Sequence, residues 1–215
     1  MSRLLCVIIL VELLACSEKK QPLHKGESII AGVKGHWEEF TQNDSFFRVT
    51  TIPGKGFYRQ AAGDEKLFRD STFIEKWFLK NGRMVQIKSF EGGVPHGEWK
   101  VWADDGQILS RTVINKGIAI DYESWHTNGS LRAKGKVQPD GTMIREEYYP
   151  GGVINQTFTV DSLGNGTFQG YFPNRQLKEK GRLISFEPIG IWIRLDSLGN
   201  KLSDTLYTFP TAKQP

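Results

Sequence analysis

The spacing of turn residues is the feature that most constrains how this chain can fold. One series of turn signals recurs at intervals of 24, 23, 23, 23 and 24 residues: Asn81-Gly82, Asp105-Gly106, Asn128-Gly129, Gly151-Gly152, Asn174-Arg175 and Leu198-Gly199. A second series lies half a period away, at Gly93, Gly117, Gly141 and Gly164, and we expect its last member at Pro188 to Gly190. Asn-Gly and Asp-Gly pairs tolerate the positive φ angles of tight hairpin turns. The sequence therefore predicts a chain that reverses twice in each period.

The segments between these turns are short and rich in aromatic and β-branched residues, as in Trp99 to Trp102 and Ile144 to Tyr149. None has the length or the 3.6-residue periodicity of a helix. The pentapeptide DSLGN, at Asp161 to Asn165 and again at Asp196 to Asn200, supports a repeat. We therefore predict an all-β fold of tandem β-hairpin repeats, which form an elongated, twisted antiparallel sheet stabilised mainly by contacts between neighbours.

Five segments carry a common pattern of an aromatic pair, a polar turn ending in glycine and an aliphatic strand. They are WFLKNGRMVQ (Trp77 to Gln86), GEWKVWADDGQIL (Gly97 to Leu109), DYESWHTNGSLRAKG (Asp121 to Gly135), EEYYPGGVI (Glu146 to Ile154) and FQGYFPNRQLKEKG (Phe168 to Gly181). This region resembles the MORN-repeat-variant family, short bacterial relatives of the membrane occupation and recognition nexus repeats. The resemblance implies a meander of tandem β-hairpin repeats. Proteins resembling this family are commonly labelled antitoxin components, which implies an alternative function of neutralising a toxin by protein binding.

The N-terminus has the features of a lipoprotein signal peptide. Arg3 precedes an apolar run, Leu4 to Leu14, which is shorter than the roughly 20 residues that span a bilayer. The sequence LLAC, which ends at Cys16, resembles the lipobox of bacterial lipoproteins. We therefore expect residues 1–15 to be removed and Cys16 to carry lipid; an uncleaved buried strand and an ordinary secretory signal are the alternatives. Ser17 is compatible with sorting to the outer membrane under the enterobacterial rule.

The remaining chain divides by composition. Residues 16–35 are polar and read as a flexible tether. Residues 36–76 are predicted to form an irregular β cap or degenerate repeat, with strands at Phe46 to Ile52, at Gly56 to Gln60 and around Leu67-Phe68. The repeat array follows over residues 77–209, and residues 210–215 are expected to be a disordered tail.

No residue pattern indicates catalysis or metal binding. The histidines at 24, 36, 96 and 126 lack the spacing of a metal site, and Cys6 and Cys16 are the only cysteines. The acidic pairs Asp104-Asp105 and Glu146-Glu147 would point to opposite faces of a strand. A net charge of +4, with signs that alternate along the chain, does not favour nucleic acid. We predict no enzyme activity and no cofactor; an envelope hydrolase with a site assembled across repeats is the least favoured alternative.

Aromatic residues at repeat spacing are the remaining candidates for function. A single-layer sheet cannot bury both faces, so these residues either form the core or leave an exposed ladder that can stack on sugars or pack on a protein. The candidate binding surface is Trp99, Trp102, Trp125, Tyr148, Tyr171 and Trp192. We expect a lipid-anchored envelope protein that acts as a binding or scaffold module for a protein or glycan partner, with no nucleic acid partner.

Overall fold

The computed structural model describes residues 22–208, and these residues contain 17 strands and one short helix. They divide into two compact units at Ile118/Ala119. The first unit contains β1 (His24–Ile30), β2 (Val33–Gln42), β3 (Ser45–Ile52), β4 (Gly56–Ala62), helix α1 (Glu65–Arg69), β5 (Phe73–Leu79), β6 (Met84–Glu91), β7 (Val94–Pro95), β8 (Gly97–Trp102) and β9 (Ile108–Asn115). The second unit contains β10 (Ile118–Trp125), whose first residue precedes the division, β11 (Leu131–Val137), β12 (Met143–Tyr148), β13 (Ile154–Val160), β14 (Gly166–Tyr171), β15 (Leu177–Ile184), β16 (Glu187–Leu195) and β17 (Lys201–Tyr207).

Within each unit the strands form a meander in which consecutive strands pair antiparallel. The two-residue strand β7 interrupts this pattern only slightly, because β6 pairs with both β7 and β8. The predicted all-β class and tandem antiparallel hairpins are confirmed. No helix within residues 22–208 is long and apolar enough to cross a membrane.

Eight turns in the described chain share one geometry, in which a left-handed residue closes a three-residue loop. In the turn after β10, Gly129 N donates to His126 O at 2.9 Å and His126 N donates to Ser130 O at 2.8 Å. The left-handed residues are Gly82, Gly106, Gly129, Gly141, Gly152, Gly164, Arg175 and Gly199, with φ between 70° and 94°. Only this one residue takes positive φ; the side chain of Asn128 instead accepts a hydrogen bond from Ser130 N at 3.0 Å.

A second kind of turn has two left-handed residues, as in Lys116-Gly117 and Ser185-Phe186. The last of these corrects a prediction, because Pro188 and Gly190 lie within β16 rather than in a turn. The turn lies at Ser185-Phe186 because Phe186 contacts the preceding turn of this series at Gly164. Phe186 N donates to Gly164 O at 2.9 Å, and a Cβ atom added to Gly164 would lie 2.4 Å from the Phe186 ring.

Two predictions for the N-terminal part are wrong. The predicted tether contains β1 and the start of β2, because Gly26 leaves room for the Trp37 ring: a Cβ atom there would lie 2.4 Å from Trp37 Cζ2. The predicted strand around Leu67-Phe68 is helix α1. Asp64 caps this helix by accepting a hydrogen bond from Leu67 N at 2.7 Å, and Phe68 is buried 5.0 Å from the Phe46 ring.

One face of each meander carries most of the buried side chains. In the second unit the core is Val160, Leu183 and Trp192, with partly buried Met143, Phe158, Phe168 and Tyr207 around it. In the first unit a chain of rings runs through Phe46, Phe68, Phe73, Phe90 and Trp99, with centroids 5.0 to 5.6 Å apart. Aromatic burial therefore supplies much of the packing in both units.

Candidate binding surface

The six candidate aromatic residues belong to two different positions of the repeat. Four of them are the last residues of their strands, one residue away from a three-residue turn: Trp102, Trp125, Tyr148 and Tyr171. Trp99 and Trp192 occupy the position three residues earlier, since Trp99 precedes Trp102 and Trp192 precedes Leu195. Side chains three residues apart on a strand point to opposite faces. The six residues predicted to form one binding surface therefore lie on two different faces of the sheet.

The earlier position is structural. Trp192 is 6% exposed and lies in the core, so its assignment to a binding surface is wrong. Its Nε1 donates to Arg182 O at 3.1 Å, and a Cβ atom at Gly181 would lie 2.2 Å from the indole. Trp99 repeats this arrangement: its Nε1 donates to Ser89 O at 3.0 Å, also ten residues back. Trp192 has a glycine, Gly181, eleven residues earlier that leaves space for its ring. Trp99 has no glycine at the corresponding place, which is occupied by Lys88.

The later position forms what we call the turn-proximal row. Across each hairpin its ring faces an aliphatic residue of the next strand. In the first unit the row consists of Phe78, Met84, Trp102 and Ile108; in the second it consists of Trp125, Leu131, Tyr148, Ile154, Tyr171 and Leu177. All of these side chains are partly exposed. Each unit therefore presents an apolar stripe that crosses its strands.

The aromatic rings of the row in the second unit lie opposite the core. Glu147, Gln156 and Gly170 are register partners, and the core residue Val160 shares the face of Gln156. The strand register shifts directly before Tyr148 and Tyr171, and their hydroxyl groups donate hydrogen bonds to Glu146 and Gln169. Both rings therefore lie on the face opposite the core, which we call the open face. The register also shifts directly before Trp125. Tyr148 and Tyr171 thus share the open face, and Trp125 occupies the equivalent place in the preceding repeat.

A row of polar side chains runs beside this stripe on the open face. The polar row is Glu123, Lys134, Glu146, Thr157, Gln169 and Lys180, each the register partner of the next. Lys134 Nζ lies 2.9 Å from Glu146 Oε2, and the Tyr148 hydroxyl donates to the same carboxylate. Tyr171 Oη donates to Gln169 Oε1 at 2.7 Å. The phenol groups are therefore tied to the polar row.

These contacts shift the titration of the polar row. The Tyr148 hydroxyl and the Lys134 ammonium lower the pKa of Glu146. The Glu146 carboxylate in turn raises the pKa of Lys134 to about 12. Both groups are charged at neutral pH, and the lysine lies 5.8 Å above the Tyr148 ring. Lys134 and Glu146 therefore form an ion pair, and neither group is a general base with a pKa near neutrality.

Residues 95–114 match the family model of the MORN repeat variant. The match covers β8 and nearly all of β9, the hairpin that holds Trp99 and Trp102. No curated protein matches the chain. The hairpins that follow have the same turn geometry, so the matched segment is one member of the structural series.

Hydrogen bonds also connect successive turns of the series. Asn128 Nδ2 donates to Pro150 O at 3.2 Å, and Asn174 Nδ2 donates to Ser197 O at 2.8 Å. Tyr149 Oη donates to Tyr171 O at 2.9 Å. His126 Nε2 lies 3.0 Å from Tyr148 O. Partners 22 or 23 residues apart thus lock each turn to the next.

The first unit contains a buried charged cluster that no sequence pattern predicted. Glu39 is 1% exposed, and it accepts hydrogen bonds from Arg48 Nε at 2.9 Å and from Arg69 Nη2 at 2.7 Å. His24 Nδ1 lies 3.3 Å from the same carboxylate. Burial on its own would raise the pKa of Glu39, but the bonds from Arg69 and Arg48 outweigh burial and lower it. Since Arg69 ends α1, the cluster fastens the helix to β2 and β3.

Cys16 lies outside the described residues. Within residues 22–208, no group of three or more histidine, cysteine, aspartate or glutamate side chains is placed to hold a metal ion.

Proposed function

We propose that this chain is a non-catalytic binding or scaffold module, anchored in the bacterial envelope through lipid on Cys16. The observation that carries the proposal is the turn-proximal row, a partly exposed apolar residue at the same place in successive repeats. The core of the second unit is built on the opposite face, so its packing does not require these rings. A surface that repeats at fixed intervals suits an extended protein or glycan partner.

The charged side chains of the open face favour binding over catalysis. Glu146 is paired with Lys134, so the acid closest to the rings is held as a carboxylate. A general acid or base works best with a pKa near the working pH. The match of residues 95–114 to the MORN repeat variant agrees with a binding or scaffold function.

The proposed anchor would hold the fold near the membrane. The first strand begins at His24, only a few residues after Cys16. Residues 17–23 span at most roughly 25 Å when fully extended. Acyl chains contribute about 0.8 kcal/mol per buried methylene, so two or three chains on one residue make a stable anchor.

Labelling with a clickable fatty acid tests the anchor. We expect the wild-type chain and a Cys6→Ser variant to carry the label and to fractionate with membranes. The Cys16→Ser variant should lose the label and leave the membrane fraction. Unchanged labelling and location in Cys16→Ser would contradict the lipid anchor.

Photo-crosslinking tests the binding surface. A photoreactive phenylalanine analogue placed at Tyr148 should give adducts with an envelope partner. The same analogue at Phe186, which is 57% exposed and lies outside the turn-proximal row, is the matched control. Equal adducts at both positions, or none at Tyr148, would contradict a binding function of this row.

A further inference from the structure

We propose that the open face of strands β11 to β15 binds an acidic polysaccharide. The proposal rests on the binding function above and names the chemical class of the partner. The site consists of two columns of basic side chains, one on β11 and one on β15, together with the largely uncharged side chains between them.

The basic side chains of these strands are concentrated on one face. Alternate positions of β11 and β15 carry six of them: Arg132, Lys134, Lys136, Lys178, Lys180 and Arg182. Ala133 and Leu183, each of which follows a member of this set by one residue, are buried on the core face. Because successive residues of a strand point to opposite faces, the six basic residues lie on the open face, and all six are exposed.

Fewer acids share the open face. Within the five strands its acid is Glu146, and the flanking strands β10 and β16 add Asp121, Glu123 and Glu187. The six basic residues thus outnumber these four acids even when the flanking strands are included. The excess of positive charge on this face would attract an anionic ligand.

Ion pairs also differ between the two faces. Of the six basic residues, only Lys134 belongs to an ion pair within residues 22–208, with its Nζ atom 2.9 Å from Glu146 Oε2. On the core face of the same strands, Arg145 Nη2 lies 2.5 Å from Glu147 Oε1. The charges of the core face are therefore matched within the fold. Five exposed cations of the open face have no carboxylate partner among the described residues and can bind an external anion.

The strands between the two columns provide hydrogen-bonding groups. One row of register partners runs through Lys136, Ile144, Thr159, Thr167 and Arg182. The polar row beside it places Thr157 and Gln169 between Lys134 and Lys180. Neighbouring strands are about 4.8 Å apart, so the cations at the two ends of a row are roughly 19 Å apart. A ligand that spans both columns would therefore meet cations at its ends and hydroxyl or amide groups between them.

This composition favours a polysaccharide over an acidic protein. The centre of a protein–protein interface is usually apolar, whereas Thr159, Thr167 and Gln169 are exposed in the middle of this face. Sugar hydroxyls can form hydrogen bonds with these side chains, and carboxylates of the same polymer can pair with lysine and arginine. Tyr148 and Tyr171, at one end of β12 and β14, can pack a ring against a sugar.

Titration calorimetry of the full-length chain in a neutral detergent tests this proposal. The probe is an oligogalacturonate long enough to span both columns, and we expect saturable binding that weakens as salt is added. The methyl-esterified oligomer has the same backbone without the charges and should bind at least about tenfold more weakly. Polyglutamate and single-stranded DNA of matched charge should also bind at least about tenfold more weakly, because they lack the sugar hydroxyls.

Variants test the two columns and the groups between them. Lys136→Gln combined with Arg182→Gln removes the cations at both ends of one row and should weaken oligogalacturonate binding about tenfold or more. The matched control combines Lys55→Gln with Lys80→Gln, two exposed lysines of the first unit, and should bind within about threefold of the wild type. Thr159→Val keeps the shape but removes a hydroxyl, and it should weaken binding about threefold. Circular dichroism should show the same β spectrum for all of these proteins.

Failure of the oligogalacturonate to bind would overturn the proposal, as would equal binding of its methyl ester. Binding of polyglutamate or DNA that is as tight as that of the oligogalacturonate would overturn the choice of a polysaccharide. Equal weakening by the two double variants would overturn the site. These outcomes are distinct from failure of the proposed function: a protein adduct at Tyr148 without oligogalacturonate binding would leave the binding module standing and reject the acidic polysaccharide.

Discussion

The two units follow the same strand pattern but are stabilised in different ways. In the second unit every strand is followed by a turn and the next strand, and the core of Val160, Leu183 and Trp192 is apolar. The first unit interrupts the meander with α1, and there the buried carboxylate of Glu39 links α1 to the sheet through Arg69. In the regular unit, packing between neighbouring strands stabilises the sheet. In the first unit, where a helix stands between two strands, a buried charged cluster attaches that helix to the sheet.

The largest expected effect is the loss of the core ring in the regular unit. Trp192→Ala should destabilise the protein by about 3–5 kcal/mol, because it empties the space above Gly181. The equivalent change in the first unit, Trp99→Ala, should cost less, since Trp99 is only partly buried. Urea unfolding of the two variants measures the difference. A larger loss for Trp99→Ala would contradict the view that the regular unit depends more on this ring.

Removal of the buried carboxylate should come next. Glu39→Gln removes the anionic partner of Arg48 and leaves Arg69 with only the exposed Glu65, so it should cost about 3 kcal/mol. The control is Glu98→Gln, whose carboxylate is 41% exposed although it pairs with Lys100 and Arg111. That change should cost less than about 1 kcal/mol. Hydrogen exchange should rise at α1 in the first variant only; equal losses in urea would show that burial of Glu39 has no special weight.

The free energy of unfolding should depend on pH through Glu39 of the first unit. The pKa of Glu39 is lowered in the folded state from an ordinary value of 4.5, so its stabilising contribution is present above that value. The contribution is lost as the pH falls through the lower folded pKa. The stability difference between wild type and Glu39→Gln should therefore shrink below about pH 4.5. Urea titrations between pH 7 and pH 3 measure it, and a difference independent of pH would contradict this account.

The smallest effect is expected at a turn. Arg175 adopts φ of 70°, the position that glycine holds in the other seven turns of this type in the described chain. Arg175→Gly should stabilise the protein by about 1 kcal/mol, because glycine takes this conformation without strain. Gly152→Ala, at the equivalent place, should destabilise by a similar amount. Midpoints of thermal unfolding report both changes, and shifts of the same sign would contradict the role assigned to the left-handed residue.

Much of the fold was predictable because turns depend on local sequence. The predicted turns at Gly82, Gly106, Gly129 and Gly152 are confirmed, since short polar residues and glycine favour these conformations wherever they occur. The turn at Ser185-Phe186 was missed because its position depends on the Gly164 loop, about 20 residues earlier. Strand β1 was missed because its polar sequence forms a strand only when the Trp37 ring covers Gly26.

The candidate site was predictable in part. The interval of 23 residues identified Trp125, Tyr148 and Tyr171, and the structure brings Tyr148 and Tyr171 to one face. Trp192, about four periods after Trp99, was selected with them but lies in the core on the opposite face. Periodicity alone does not distinguish a ring that is buried from one that remains partly exposed. The residues of the polar row could be found only from the strand register.

The sequence by itself determined the repeat period, the antiparallel hairpins and the recurrence of an aromatic residue beside each turn. These properties follow from the backbone preferences of single residues and from the alternation of side chains along a strand. Only the tertiary structure decided which face became the core, how Glu39 came to be buried, and which polar groups border the rings. Those outcomes depend on contacts between residues far apart in the chain, whose free energy local sequence does not encode.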